Sequence, residues 1–125
     1  MSQPEKKFEE SLKNWLEQQG ILPWGTEVES ASGYWNKRWG GSQYIKAGLP
    51  DMQIVVGPYC IEAELKGPSG RPSELQKQKL RQVNRSGGIG FVLYPKDFEA
   101  FKRFVLELKG GRIDRENELF KGRLL

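Results

Sequence analysis

Between Met52 and Lys66 the sequence MQIVVGPYCIEAELK leaves little choice of local structure. Met52–Val56 is a short apolar run, Gly57-Pro58 is a turn dipeptide, and Tyr59–Lys66 alternates strictly. On a pleated strand that alternation puts Ile61, Ala63 and Leu65 on one side and Glu62, Glu64 and Lys66 on the other. Two such runs joined by a tight turn predict a β-hairpin. One face of that hairpin is apolar and needs another layer to cover it.

The flanking segments supply that layer. Residues 4 to 19 predict an amphipathic helix, with Phe8, Leu12, Trp15 and Leu16 gathered on one face. Pro4 suits its first turn and Gly20 its C-terminal cap. Residues 21 to 48 are less regular; short strands are expected near 25–30 and 33–37, and the tryptophans of this stretch suit packing or contacts between subunits. After a Gly/Pro-rich loop, Ser73-Glu74-Leu75-Gln76 matches a capping box and starts a helix to about Arg85, which stops at Gly87-Gly88. Ile89–Tyr94 is a third apolar strand. Asp97 is placed to cap a last long helix to about Lys109, whose buried face holds Phe98, Phe101, Phe104, Val105 and Leu108. The tail after Arg112 has room for one short helix. This order predicts one α/β domain over residues 1–125, with a mixed sheet.

Several function classes are excluded by composition. The chain has no histidine, which removes Ser-His-Asp and Cys-His nucleophile systems and His-based zinc sites. Cys60 is the single cysteine and has no partner for an internal disulfide, so a reducing, cytoplasmic setting is expected. Neither a secretory leader nor a membrane span is read from the sequence. Catalysis, if present, runs on carboxylates, lysine, hydroxyls and an oxygen-bound metal. Charge is uneven: residues 1–66 hold 7 basic and 9 acidic residues, a net of −2, against 13 and 7, a net of +6, in residues 67–125. A basic second half suits a polyanion partner, although a solvated surface explains it as well.

Asp51 opens the first strand of the hairpin, while Glu64 and Lys66 share a face of the second. The hairpin can bring the two carboxylates together beside the lysine. Their repulsion is relieved by a divalent cation, and hard oxygen donors select Mg2+ or Mn2+. Such an ion binds a phosphate oxygen and lowers the pKa of an attacking water, and Lys66 can orient that water or stabilise developing charge. Taken separately, Glu-x-Lys on a strand and Asp after Pro are ordinary surface and turn features. Their combination on one hairpin is what points to chemistry.

The string from Gly48 to Pro95 resembles the VRR-NUC branch of the PD-(D/E)XK nuclease superfamily. The resemblance is carried by Gly48-Leu49-Pro50-Asp51, Glu64-Leu65-Lys66-Gly67, Ser73-Glu74-Leu75-Gln76, and Gly87-Gly88 before a strand. A weaker likeness covers the first helix through Glu5, Phe8, Glu9, Leu12, Leu16 and Gly20. The resemblance implies a restriction-endonuclease-like αβββαβ core. It implies that Asp51, Glu64 and the backbone carbonyl of Leu65 hold the metal and that Lys66 is the catalytic lysine. It also implies catalytic roles for Gln76 and for an acid on the first helix. Gln76 is equally explained by the capping box. Glu5 fits the helix motif better than Glu9, which lies one turn further on. The family pattern often has a second glycine before the Pro-Asp pair, which is absent here.

The same resemblance implies DNA as partner, and branched DNA such as a four-way junction as substrate. Cutting two strands symmetrically needs two sites, hence a homodimer. Arg71, Lys77, Lys79 and Arg81, with Arg85, are the candidate phosphate contacts. The compact single-domain form suggests a bacterial or phage source. Two other classes stay open: a nuclease fold that binds nucleic acid without cutting, and a subunit of a replication or recombination assembly.

Overall fold

In the computed structural model of the protein, which describes residues 2–38 and 47–125, nine elements follow the hairpin-centred plan. They are α1 (Gln3–Gln18), β1 (Ile21–Pro23), β2 (Gly33–Lys37), β3 (Met52–Val56), β4 (Tyr59–Leu65), α2 (Glu74–Arg85), β5 (Ile89–Leu93), α3 (Phe98–Lys109) and α4 (Glu118–Lys121). The strands form one mixed sheet in the order β1-β2-β3-β4-β5. β1 runs parallel to β2 and β4 parallel to β5, while β2, β3 and β4 are antiparallel neighbours. The expected α/β domain with a mixed sheet is therefore present. Residues 39–46, which include Trp39 and Lys46 of the aromatic segment, lie outside the described residues.

Cross-strand partners point to the same face, so the register sorts the side chains. Trp35, Ile54, Ile61 and Ile89 form one row, and Met52, Ala63 and Phe91 the next. This apolar face is covered by α1 and α3. Phe91 meets Phe101 and Phe104 edge-on, and Trp15 meets Phe98 and Phe101 in the same way. The opposite face carries Gln53, Glu62 and Gly90 in one row and is partly covered by α2. A Cβ on Gly90 would stand 3.2 Å from the Leu80 carbonyl oxygen and 3.3 Å from Val83, so its missing side chain lets α2 lie close to β5.

Three expectations need correction. No strand forms at 25–30; those residues are exposed loop and turn, and the additional strand is β1, just before them. The segment GTEVES has Val28 as its only large apolar side chain and nothing to bury, whereas Ile21 is fully buried. The strand read as Ile89–Tyr94 stops at Leu93, and that read as Tyr59–Lys66 stops at Leu65. Asp97 does not cap α3: its carboxylate accepts from the Tyr94 N–H at 3.0 Å, closing a 3-10 turn over Pro95–Asp97 that runs into α3. The short tail helix exists as α4, capped by Asn117, whose side chain also donates to the Ala100 carbonyl. No helix among the described residues is long and apolar enough to cross a membrane.

Gly33 gives a direct test of the β2–β3 contact, because a Cβ there would stand 2.0 Å from the Val55 carbonyl oxygen. Gly33→Ala must push the two strands apart. Overpacking of this kind costs roughly 1–3 kcal/mol, and the loss should appear as a lower melting temperature by circular dichroism. An unchanged melt would contradict this strand pairing.

Candidate active site

The site lies where β3 and β4 run past their last paired residues. Met52 pairs with Ala63, so one step further Asp51 comes opposite Glu64. The Asp51 carboxylate accepts from the Leu65 N–H at 2.9 Å, which ties the start of β3 to the end of β4. In a strand the N–H and C=O of one residue leave on the same edge. The Leu65 carbonyl therefore faces the Asp51 side, while the next N–H, of Lys66, turns the other way to donate to Leu93 O at 3.0 Å.

Glu64 is almost fully buried, with 2% of its surface exposed. Its Oε1 accepts from the Gln76 side-chain amide at 3.0 Å and lies 3.5 Å from Lys66 Nζ. Its Oε2 is buried without a hydrogen-bond partner. Burial, and next the charge of Asp51, push the Glu64 carboxyl up to about 8, with Lys66 pulling the other way.

Gln76 closes the capping box of α2 and also reaches Glu64. Its Oε1 accepts from the Ser73 N–H at 2.8 Å while its own N–H donates to Ser73 Oγ at 3.1 Å, completing the capping box. That leaves its amide nitrogen for Glu64, so the cap of α2 orients a buried carboxylate. Gly48, with φ of +83°, brings the Gly-Leu-Pro-Asp segment against α2; a Cβ there would stand 2.5 Å from Leu75 Cγ. The first turn of α1 abuts the same end of the sheet, with Glu5 Cβ 3.5 Å from the Cβ position of Gly67. Glu5 thus sits beside the strand end, but no contact ties its carboxylate to Asp51 or Glu64 among the described residues. Glu9 is engaged elsewhere, in ion pairs with Lys37 and Lys13. Burial alone would raise its carboxyl, and the hydrogen bonds from those two lysines overcome this and hold it below the usual range.

Arg38 is the residue that sequence reasoning missed. Its backbone N–H donates to Asp51 O at 2.7 Å, and its guanidinium to Pro50 O at 2.9 Å. The same guanidinium makes a two-pronged pair with Glu62, both bonds 2.7 Å, and Gln53 adds a contact at 3.3 Å. Glu62 is therefore spent on holding the Pro50-Asp51 segment in place. Cys60, on the same face, is half-buried rather than packed as a core residue; burial and next the charge of Glu62 push its thiol up, so it stays protonated.

The candidate phosphate contacts separate. Arg71 is exposed on the loop after β4. Lys77, Arg81 and Arg85 recur every fourth residue along one side of α2. Lys79 is turned roughly 200° from Lys77 and borders the other flank. Among the described residues no three Asp, Glu or Cys side chains gather as a metal cluster; the oxygens available to a cation here would be those of Asp51, Glu64 and the Leu65 carbonyl. A hard divalent cation fits that set, because it would meet the orphaned Oε2 and offset the repulsion of the pair. Neither a known protein-family model nor a curated protein matches the chain.

The raised Glu64 carboxyl makes stability depend on pH. A folded value of about 8, above the unfolded value near 4.5, means that this group's contribution is complete below about 4.5. It is lost as pH rises towards and through about 8. In EDTA, Glu64→Gln, which mimics the neutral form, should gain stability relative to wild type over that window. Denaturant melts across the pH range check this; a constant difference would show that Glu64 is not held neutral.

Proposed function

We propose that the chain is a metal-dependent nuclease of the PD-(D/E)XK type, hydrolysing phosphodiester bonds in DNA. In this reading α1, β2, β3, β4, α2 and β5 constitute a restriction-endonuclease-like αβββαβ core, with β1 as an added edge strand. One observation supports it above the others: Asp51 and Glu64 face each other at the open end of a β-hairpin, and Lys66 and Gln76 both contact Glu64. A bound Mg2+ or Mn2+ would supply charge neutralisation at the phosphate and a more acidic water.

The protein's own groups do the rest. Gln76 fixes the rotamer of Glu64 and leaves Oε2 free to act as a donor atom. Arg38 and the Leu65 N–H fix Asp51 from two sides. The stem of Lys66 is held by the glycine loop, with the Gly70 Cβ position 3.2 Å from Lys66 Cδ. Its amine is thereby held at the mouth of the site, where it can donate to a phosphoryl oxygen or an attacking water. Branched DNA is the proposed substrate and a homodimer the proposed assembly, since paired cuts need paired sites.

Cleavage of labelled four-way-junction, flap and linear DNA tests this reading. Cutting should require Mg2+ or Mn2+ and stop in EDTA. Lys66→Ala should cost about 10²–10³-fold in rate, and Glu64→Ala should leave only background. No cutting by the folded wild type with either metal would favour a binding module instead. Equal rates on branched and linear DNA would remove the structure selectivity while leaving the nuclease.

A further inference from the structure

The ends of β4 and β5 open onto a cavity of about 540 Å³, with Pro68, Gly70, Arg71, Tyr94, Pro95 and Lys96 in its walls. It adjoins the carboxylate site through Lys66. Gly70 rests on the Lys66 stem, its Cβ position 3.3 Å from Lys66 Cβ, and Tyr94 continues β5 directly beyond the Leu93 carbonyl that accepts from Lys66. Gly70, in the cavity wall, therefore also touches the stem of Lys66.

Its chemistry is one-sided. No carboxylate lines it, and both of its cations, Arg71 and Lys96, are exposed and form no ion pair with a described carboxylate. Lys96 Nζ stands 5.5 Å from the centre of the Tyr94 ring. Residues 67–97 contain six basic and two acidic residues, and both acids are engaged, Glu74 with Lys77 and Asp97 with the Tyr94 N–H. The excess of four equals the net charge of the whole chain. The same walls carry the aromatic ring of Tyr94 and the apolar rings of Pro68 and Pro95.

We propose that this cavity takes one unpaired nucleotide of the strand being cut, its base against the Tyr94 and proline rings and its phosphate between Arg71 and Lys96. The proposal rests on the nuclease reading and gives that site a substrate class: DNA with a single-stranded segment at the cut. The volume falls in the ordinary range for small-ligand sites. A base inside a continuous duplex stack cannot enter such a slot, whereas an unpaired base can, and aromatic surfaces hold unpaired bases without regard to sequence.

Binding in EDTA, which needs no chemistry, tests it. Fluorescence anisotropy would compare a labelled single strand with a blunt duplex of equal length. The full chain would be used as wild type, as Arg71→Ala/Lys96→Ala and as Tyr94→Leu. The double variant changes two exposed side chains and should fold normally. It should weaken single-strand binding roughly tenfold or more and flatten the log–log salt slope by about 0.7 for each phosphate no longer neutralised. Tyr94→Leu should cost about 5- to 150-fold on the single strand, and for either variant the loss on the duplex should be clearly smaller than on the single strand. Equal losses on both DNAs, no loss on the single strand, or no single-strand binding by wild type would each overturn the proposal. A wild type that cuts duplex DNA without these effects refutes the slot and keeps the nuclease. A slot that binds while nothing is cut refutes the nuclease alone.

Discussion

The register of β3 against β4 is the constraint on which the rest of the site depends. Gly57, with φ of +56°, and Pro58 make the turn, and the ladder then runs without a bulge from Val56–Tyr59 to Met52–Ala63. A slip of one residue would turn every side chain of a strand to the other face. Glu62 and Glu64 would then enter the core, and Ile61, Ala63 and Leu65 would leave it. The apolar packing of α1 and α3 thus fixes the register, and the register sets Asp51 opposite Glu64.

Three glutamates are buried, and their different partners explain what each one does. Glu9 is held by two lysines and Glu62 by an arginine fork. Each is a charge brought out of water with its counter-charge, the condition under which a buried ion persists. Glu64 is buried most deeply, yet its nearest charged neighbours are an acid and one lysine at 3.5 Å. Two of the three acids hold α1, β2 and the Pro50-Asp51 segment in place, and the third is left with an unsatisfied oxygen beside a second carboxylate. That unsatisfied oxygen is what the proposed cation would meet.

What was legible in the sequence was local. The hairpin, the capping box of α2 and the Asp51–Glu64–Lys66 grouping follow from periodicity and turn chemistry within about 25 residues of chain. What was not legible was long-range pairing. The Glu62–Arg38 and Glu9–Lys37 pairs join residues 24 and 28 apart, through strands whose order a single sequence does not declare. Reading Glu62 and Glu64 as one polar face also hid their difference, because α2 and the end of β2 bury both. A basic pair, Lys37-Arg38, closing an expected strand was the available hint. β1 was missed because three residues carry too little pattern, and its neighbour GTEVES carries a misleading one.

Manganese binding at pH 8, measured by calorimetry on wild type and Glu64→Gln, tests the central claim most directly. The wild type should bind Mn2+ saturably and release about one proton per ion as the pH is lowered to 7. Loss of the Glu64 charge should weaken binding by at least about tenfold. Equal Mn2+ affinity in the two proteins, or none in either, would contradict the reading of Asp51 and Glu64 as a metal-holding pair.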